Sequence, residues 1–123
     1  MERDFDFRVM MQQRTKQFAL RIIKLYQALP KTDEAQILGK QILRAGTSVG
    51  SNYRAACRSR SVKEFYSKVS IVIEEADESM FWLELLIESG IVKASLLRDL
   101  ISENEEIVKI LVTARKNTPR KSQ

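Results

Sequence analysis

The sequence predicts an all-α protein, an antiparallel up-down-up-down four-helix bundle. Three observations carry this reading. Apolar residues recur at spacings of three and four in four separate segments, as helices with a buried face require. There are only four glycines and two prolines in 123 residues, so turns are few. No stretch alternates apolar and polar residues in the manner of a half-buried strand.

The first helix is expected over residues 6–29, with Phe7, Met11, Phe18, Ile22, Leu25 and Leu29 on its apolar stripe. Pro30 stops it, because proline lacks the amide hydrogen and crowds the preceding turn. The second helix spans 34–58, opened by Asp33 with Gln36 as a capping pair and carrying Leu38, Ile42, Ala45, Val49, Asn52 and Ala56 inward. The third, 62–89, follows the capping box Ser61-Val62-Lys63-Glu64. Its stripe is Phe65, Val69, Val72, Ala76, Ser79, Leu83 and Leu86, and Gly90 ends it in the usual C-terminal position. The fourth, 94–115, buries Leu97, Leu100, Ile101, Ile107, Val108 and Leu111. Residues 1–115 therefore form one bundle, and 116–123 are expected to be a disordered basic tail. Short connections make successive helices antiparallel neighbours.

Composition excludes several functions. No apolar run approaches the roughly 20 residues of a membrane span, and the opening MERDFDFRVMMQQR lacks the apolar middle of a signal peptide. A cytoplasmic protein with no membrane partner is expected. A single cysteine permits no internal disulfide. Histidine is absent, which removes the commonest general base and metal ligand. Cys57, between Arg54 and Arg58, has no histidine to activate it and reads as a packed thiol. Helical spacing scatters Glu74, Glu75, Asp77 and Glu78 around their axis, and no Glu-x-x-His pair accompanies them. Gly46 and Gly50 follow no strand and precede no Gly-Lys-Ser/Thr sequence, so they make no phosphate loop. No catalytic residue, metal site or cofactor is expected, and the protein is expected not to be an enzyme.

The net charge of +5 is unevenly spread: residues 61–89 sum to −5, while 1–30, 31–60 and 90–123 are all basic. In an up-down-up-down bundle the chain start, the turn between the second and third helices, and the chain end share one end. That end collects Arg3, Arg8, Arg54, Arg58, Arg60, Lys63, Arg115, Lys116, Arg120 and Lys121, against Glu2, Asp4, Asp6 and Glu64. Such a cluster suits a phosphate backbone. Arg54, Arg58, Arg60, Lys63, Arg115 and Lys116 are the candidate nucleic-acid contacts. A solvated, charged end that only keeps the chain soluble is the plainer alternative. Tyr53 is better placed for core or interface packing than for stacking on a base.

The segment 41–52, QILRAGTSVGSN, is rich in small residues that weaken a helix. It persists if neighbouring backbones approach closely, so the second helix is expected to be packed on more than one side. Two extra faces lie on it: Leu43, Gly46, Gly50 and Tyr53, and Arg44, Ser48 and Asn52. The third helix carries a second seam of Ile71, Glu75, Glu78, Trp82 and Leu85. An arginine flanked by Ile42, Leu43 and Ala45 is half-buried and needs a partner, for which Glu75 or Glu78 is suited. Arg44, Ser48, Asn52, Glu75, Glu78, Trp82 and Leu85 are therefore the candidate interface of a homo-oligomer.

The stretch from Gln41 onward, QILRAGTSVGSNYRAACRSRSVKEFYSKVSIVIEEADESMFWLELLIESGIV, resembles the four-helix-bundle proteins encoded in intervening sequences of bacterial large-subunit ribosomal RNA genes. The residues that carry the likeness are Gln41, Ile42, Arg44, Ala45, Ser48, Asn52, Phe65, Glu75, Ala76, Glu78, Ser79, Trp82 and Leu83, and it extends over roughly 18–111. The chain departs from the pattern at Tyr53-Arg54-Ala55-Ala56, where many members have an Ile-Ala-Glu-Gly type sequence; the change makes this face more basic. The resemblance implies a homopentameric barrel of bundles. The family is also similar to the accessory protein of diversity-generating retroelements, a pentamer that binds nucleic acid and a reverse transcriptase. Two functions stay open: a non-enzymatic oligomer that binds RNA or DNA through its basic end, and a protein–protein adaptor whose acidic third helix docks a basic protein.

Overall fold

The computed structural model describes residues 2–118, with side chains from Phe5 onward. It contains α1 (Glu2–Ala28), α2 (Asp33–Ala56), α3 (Val62–Glu88) and α4 (Ala94–Lys116), an antiparallel four-helix bundle with no strand among the described residues. The part of the expected tail at 119–123 lies outside the described residues. Lys116, assigned to that tail, is the last residue of α4.

Local chemistry sets the ends. α1 begins four residues before the expected start, and an acid-rich opening suits the positive end of a helix dipole. The cap of α2 is Thr32 rather than Asp33: the Thr32 hydroxyl accepts from the Ala35 amide at 3.3 Å. Asp33 and Glu34 then lie in the first turn, favourable for the dipole. Gln36 does not close a capping box but donates to the Pro30 carbonyl at 2.8 Å. α2 ends at Ala56, two residues before its expected end, and Cys57 is the C-cap.

At α3 the capping box forms. Ser61 accepts from the Glu64 amide at 3.0 Å, and the Glu64 carboxylate accepts from the Arg60 amide at 3.0 Å. Gly90 adopts φ 81°, the left-handed conformation that only glycine takes without strain. This lets the Gly90 amide reach Ile87 and the Ile91 amide reach Leu86, closing a Schellman turn.

Each helix packs on two others, in the order α1–α2–α3–α4–α1. The α2–α3 and α1–α2 seams are broad and the α1–α4 seam is thin. The expected stripes supply the core, in which Met11, Phe18, Ile22, Ile42, Val49, Val69, Val72, Leu83, Leu86, Ile107 and Leu111 are fully buried. Phe7, Leu25, Leu38, Asn52, Phe65, Ile101 and Val108 lie at its margin, half-buried.

Tyr53 packs in the core, one of the two places expected for it, and Thr15 and Asn104 join the core unexpectedly. The Thr15 hydroxyl is satisfied by the Met11 carbonyl at 2.8 Å, and the Asn104 amide ties α4 to α3 through the Ala76 carbonyl at 3.0 Å.

The small-residue run faces α1 of the same chain. A methyl group on Gly46 would meet Ile22 Cγ1 at 2.7 Å, and one on Gly50 would meet the Thr15 carbonyl oxygen at 3.2 Å. The face Leu43–Gly46–Gly50–Tyr53, read as an extra surface, is thus the α1–α2 seam. Its requirement for small residues is met inside one bundle.

Candidate functional site

Two surfaces collect the sequence-predicted site residues. The first lies across α2 and α3. One turn of α2 brings Gln41 and Arg44 together, and two turns of α3 align Glu75, Glu78 and Trp82 opposite them. The Arg44 guanidinium donates to Glu78, to Glu75 at 3.4 Å and to Gln41 at 3.3 Å. The Trp82 indole N–H donates to the same Glu78 carboxylate at 3.0 Å. That indole N–H, and then the guanidinium, hold the Glu78 carboxyl below the usual range against partial desolvation.

The network closes within one chain, so Arg44 needs no second subunit to neutralise it. Arg44 is exposed rather than half-buried as expected, its side chain 48% accessible, because its carboxylate partners lie at the surface rim of the α2–α3 seam. Ser48 and Asn52 continue its ridge, with the Asn52 amide turned back to the Ser48 carbonyl at 2.9 Å. Around the network, Ile71 is 43% and Phe81 50% exposed, with Leu85 and Trp82 half-buried. Phe81 meets Trp82 edge-on at 5.0 Å between ring centroids.

The second surface is the end of the bundle where α2 stops, α3 starts and α4 stops. Arg54, Arg58, Arg60, Lys63 and Lys116 are all exposed there. Arg115 behaves differently. Its guanidinium lies over the Tyr66 ring at 5.8 Å and donates to the Ser70 hydroxyl at 3.1 Å, which ties α4 to α3. The side chain of Arg3, and all of Arg120 and Lys121, lie outside the described residues. Glu64 is kept ionised, below the usual carboxylate range, by the Arg60 backbone amide first and by Lys68 and Arg60 charge after it.

The same end holds a feature the sequence did not reveal. A cleft of about 990 Å³ opens between the start of α1, the α2–α3 turn and the last turns of α4. Phe7, Ala56, Phe65 and Ile110 make its apolar wall, while Arg8, Arg60 and Lys109 stand on its sides, with Glu106 its one carboxylate among the described residues. Cys57, half-buried, also lines it. Phe7 and Phe65 fall on helical core stripes, and periodicity does not tell a core position from the wall of a cleft. The only sequence signal was that both lie at the ends of their stripes, where the bundle runs out of partners.

Among the described residues no group of three or more potential metal ligands converges, and no helix is long and apolar enough to cross a membrane.

Comparison with known proteins gives a family. The model of the 23S rRNA-intervening sequence protein family matches residues 8–113. A crystal structure of a protein with unknown function from the S23 ribosomal protein family of Bacteroides thetaiotaomicron is similar at 34% identity and a TM-score of 0.82. The match covers 87% of this chain and 99% of that one. No curated protein matches the chain.

Proposed function

The chain belongs to the 23S rRNA-intervening sequence protein family, and on that premise we propose that it is a non-enzymatic, self-assembling bundle that binds RNA or DNA through its basic end. The observation that carries this is the convergence of cations at one end. Arg54 and Arg58 from α2 and its exit, Arg60 from the turn, Lys63 from α3 and Lys116 from α4 are exposed together. Their basic side chains favour phosphate over any neutral ligand. Self-assembly would multiply the cluster around an axis, and the partly exposed seam of Ile71, Phe81, Trp82 and Leu85 supports it. The family resemblance implies five subunits. The cytoplasm is the setting in which such a protein meets nucleic acid.

A salt series tests the reading. Binding to generic RNA is expected to collapse between about 50 and 200 mM salt. Replacing Arg54, Arg58 and Arg60 with glutamate is expected to abolish it while the molecular mass stays the same. Retained binding in that variant would move the contact surface elsewhere.

The second reading, an adaptor for a basic protein, is favoured by the acidic α3 segment, which sums to −5 and carries the exposed Phe81. Undetectable RNA binding at low salt would select it.

A further inference from the structure

We propose that the cleft at the basic end receives an unstacked base, so that the nucleic acid bound is single-stranded. The inference rests on the nucleic-acid reading above and narrows it. A cation cluster alone holds a duplex as well as a single strand, because both present phosphates. The cleft adds something a duplex cannot use. Its wall is apolar and aromatic, with Phe7 and Phe65 half-buried and facing the opening. Duplex bases are stacked on each other and offer no free face, whereas a single strand can turn one out onto a ring.

The charges fit the same ligand. Arg8 on α1, Arg60 on the turn and Lys109 on α4 stand around the cleft, against one carboxylate among the described residues, that of Glu106. Glu106 also lies close enough to Arg14 for its charge to be felt there. A small amphiphilic anion would need only one cation at the mouth. Here the positive charge continues past the cleft through Arg54, Arg58 and Lys116, as a polymer with a phosphate on each side of the inserted base requires. The volume of about 990 Å³ lies at the upper end of the roughly 300–1,000 Å³ usual for ligand sites.

The test uses the full chain and its single cysteine. Anisotropy titrations at low salt compare a labelled mixed-sequence single strand with its own duplex, and alkylation of Cys57 by iodoacetamide is timed with each. The single strand is expected to bind about tenfold tighter, the range of one base–aromatic stack, and to slow alkylation, while the duplex leaves the rate unchanged. Thr113→Trp, an exposed position on the cleft lining, fills the space and is expected to bring the single strand down to the affinity of the duplex.

Equal binding of the two forms with equal Cys57 reactivity overturns the inference and leaves the basic-end reading standing. Failure of both forms to bind overturns that reading and the inference with it. The alkylation arm needs only the unmodified protein, so it decides the matter even where Thr113→Trp does not fold.

Discussion

Glu78 shows how much one carboxylate can organise. It accepts from Trp82 on its own helix and from Arg44 on the next, and so joins α2 to α3 at the surface. Its pKa is lower folded than unfolded, where a glutamate titrates at about 4.3. Its stabilising effect is therefore complete above that value and is lost as pH falls through the folded value. Glu34 and Glu64, each depressed by backbone hydrogen bonds at a helix start, act with the same sign. The indole hydrogen bond is the largest single influence on Glu78, and the guanidinium acts on it twice, through a hydrogen bond and through its charge. Carbon-13 NMR titration of Glu78 is expected to show its pKa rising in both Trp82→Phe and Arg44→Ala. A rise in Arg44→Ala alone would mean that the ion pair, and not the indole hydrogen bond, holds the carboxylate.

At the scale of elements, the α1–α2 seam depends on missing side chains. Alanine at Gly46 would gain up to about 1 kcal/mol of helix propensity. It would also press on Ile22 at 2.7 Å, with the Ile22 Cβ itself at 3.2 Å, so rotation of that side chain leaves the Cβ contact in place. Gly46→Ala is expected to destabilise by about 1–3 kcal/mol in urea unfolding, the usual cost of overpacking. Gly50→Ala meets the Thr15 carbonyl at 3.2 Å and is expected to cost less, since a shift of a few tenths of an ångström in α1 accommodates it. Equal effects would mean that α1 is free to slide along α2. The helix ends were partly legible. The Ser61–Glu64 box starts α3 and Gly90 stops it, as their residue types demand. At α2 two adjacent capping residues competed, and Thr32 took the role because its hydroxyl reaches the Ala35 amide.

For the whole molecule, the bundle is closed unevenly. The thin α1–α4 seam is held by a bidentate pair, Arg14 to Glu103 at 2.7 and 3.0 Å, and below it the cleft opens at the basic end. The opposite flank, α2–α3, carries the seam of Trp82. Light scattering is expected to give a mass several times the 14.2 kDa of one chain. Trp82→Ala is expected to lower it toward that value while helical circular dichroism persists. A wild-type mass of 14 kDa would leave the Trp82 surface as an ordinary exposed patch.

The amino-acid order alone determined the four helices, most of the residues that line their core and the sign of charge at each part of the chain. These follow from a 3.6-residue period and from the chemistry of Ser61, Pro30 and Gly90, which act within a few residues of themselves. Tertiary structure alone decided which helices lie side by side, and so what each spare face touches. It turned Gly46 and Gly50 toward α1, closed Arg44 on Glu75 and Glu78 of its own chain, drew Arg115 onto Tyr66, and left a space beside Phe7 and Phe65. The reason is that periodicity records which side of a helix is apolar, whereas partner, distance and gap are properties of two or more helices packed together.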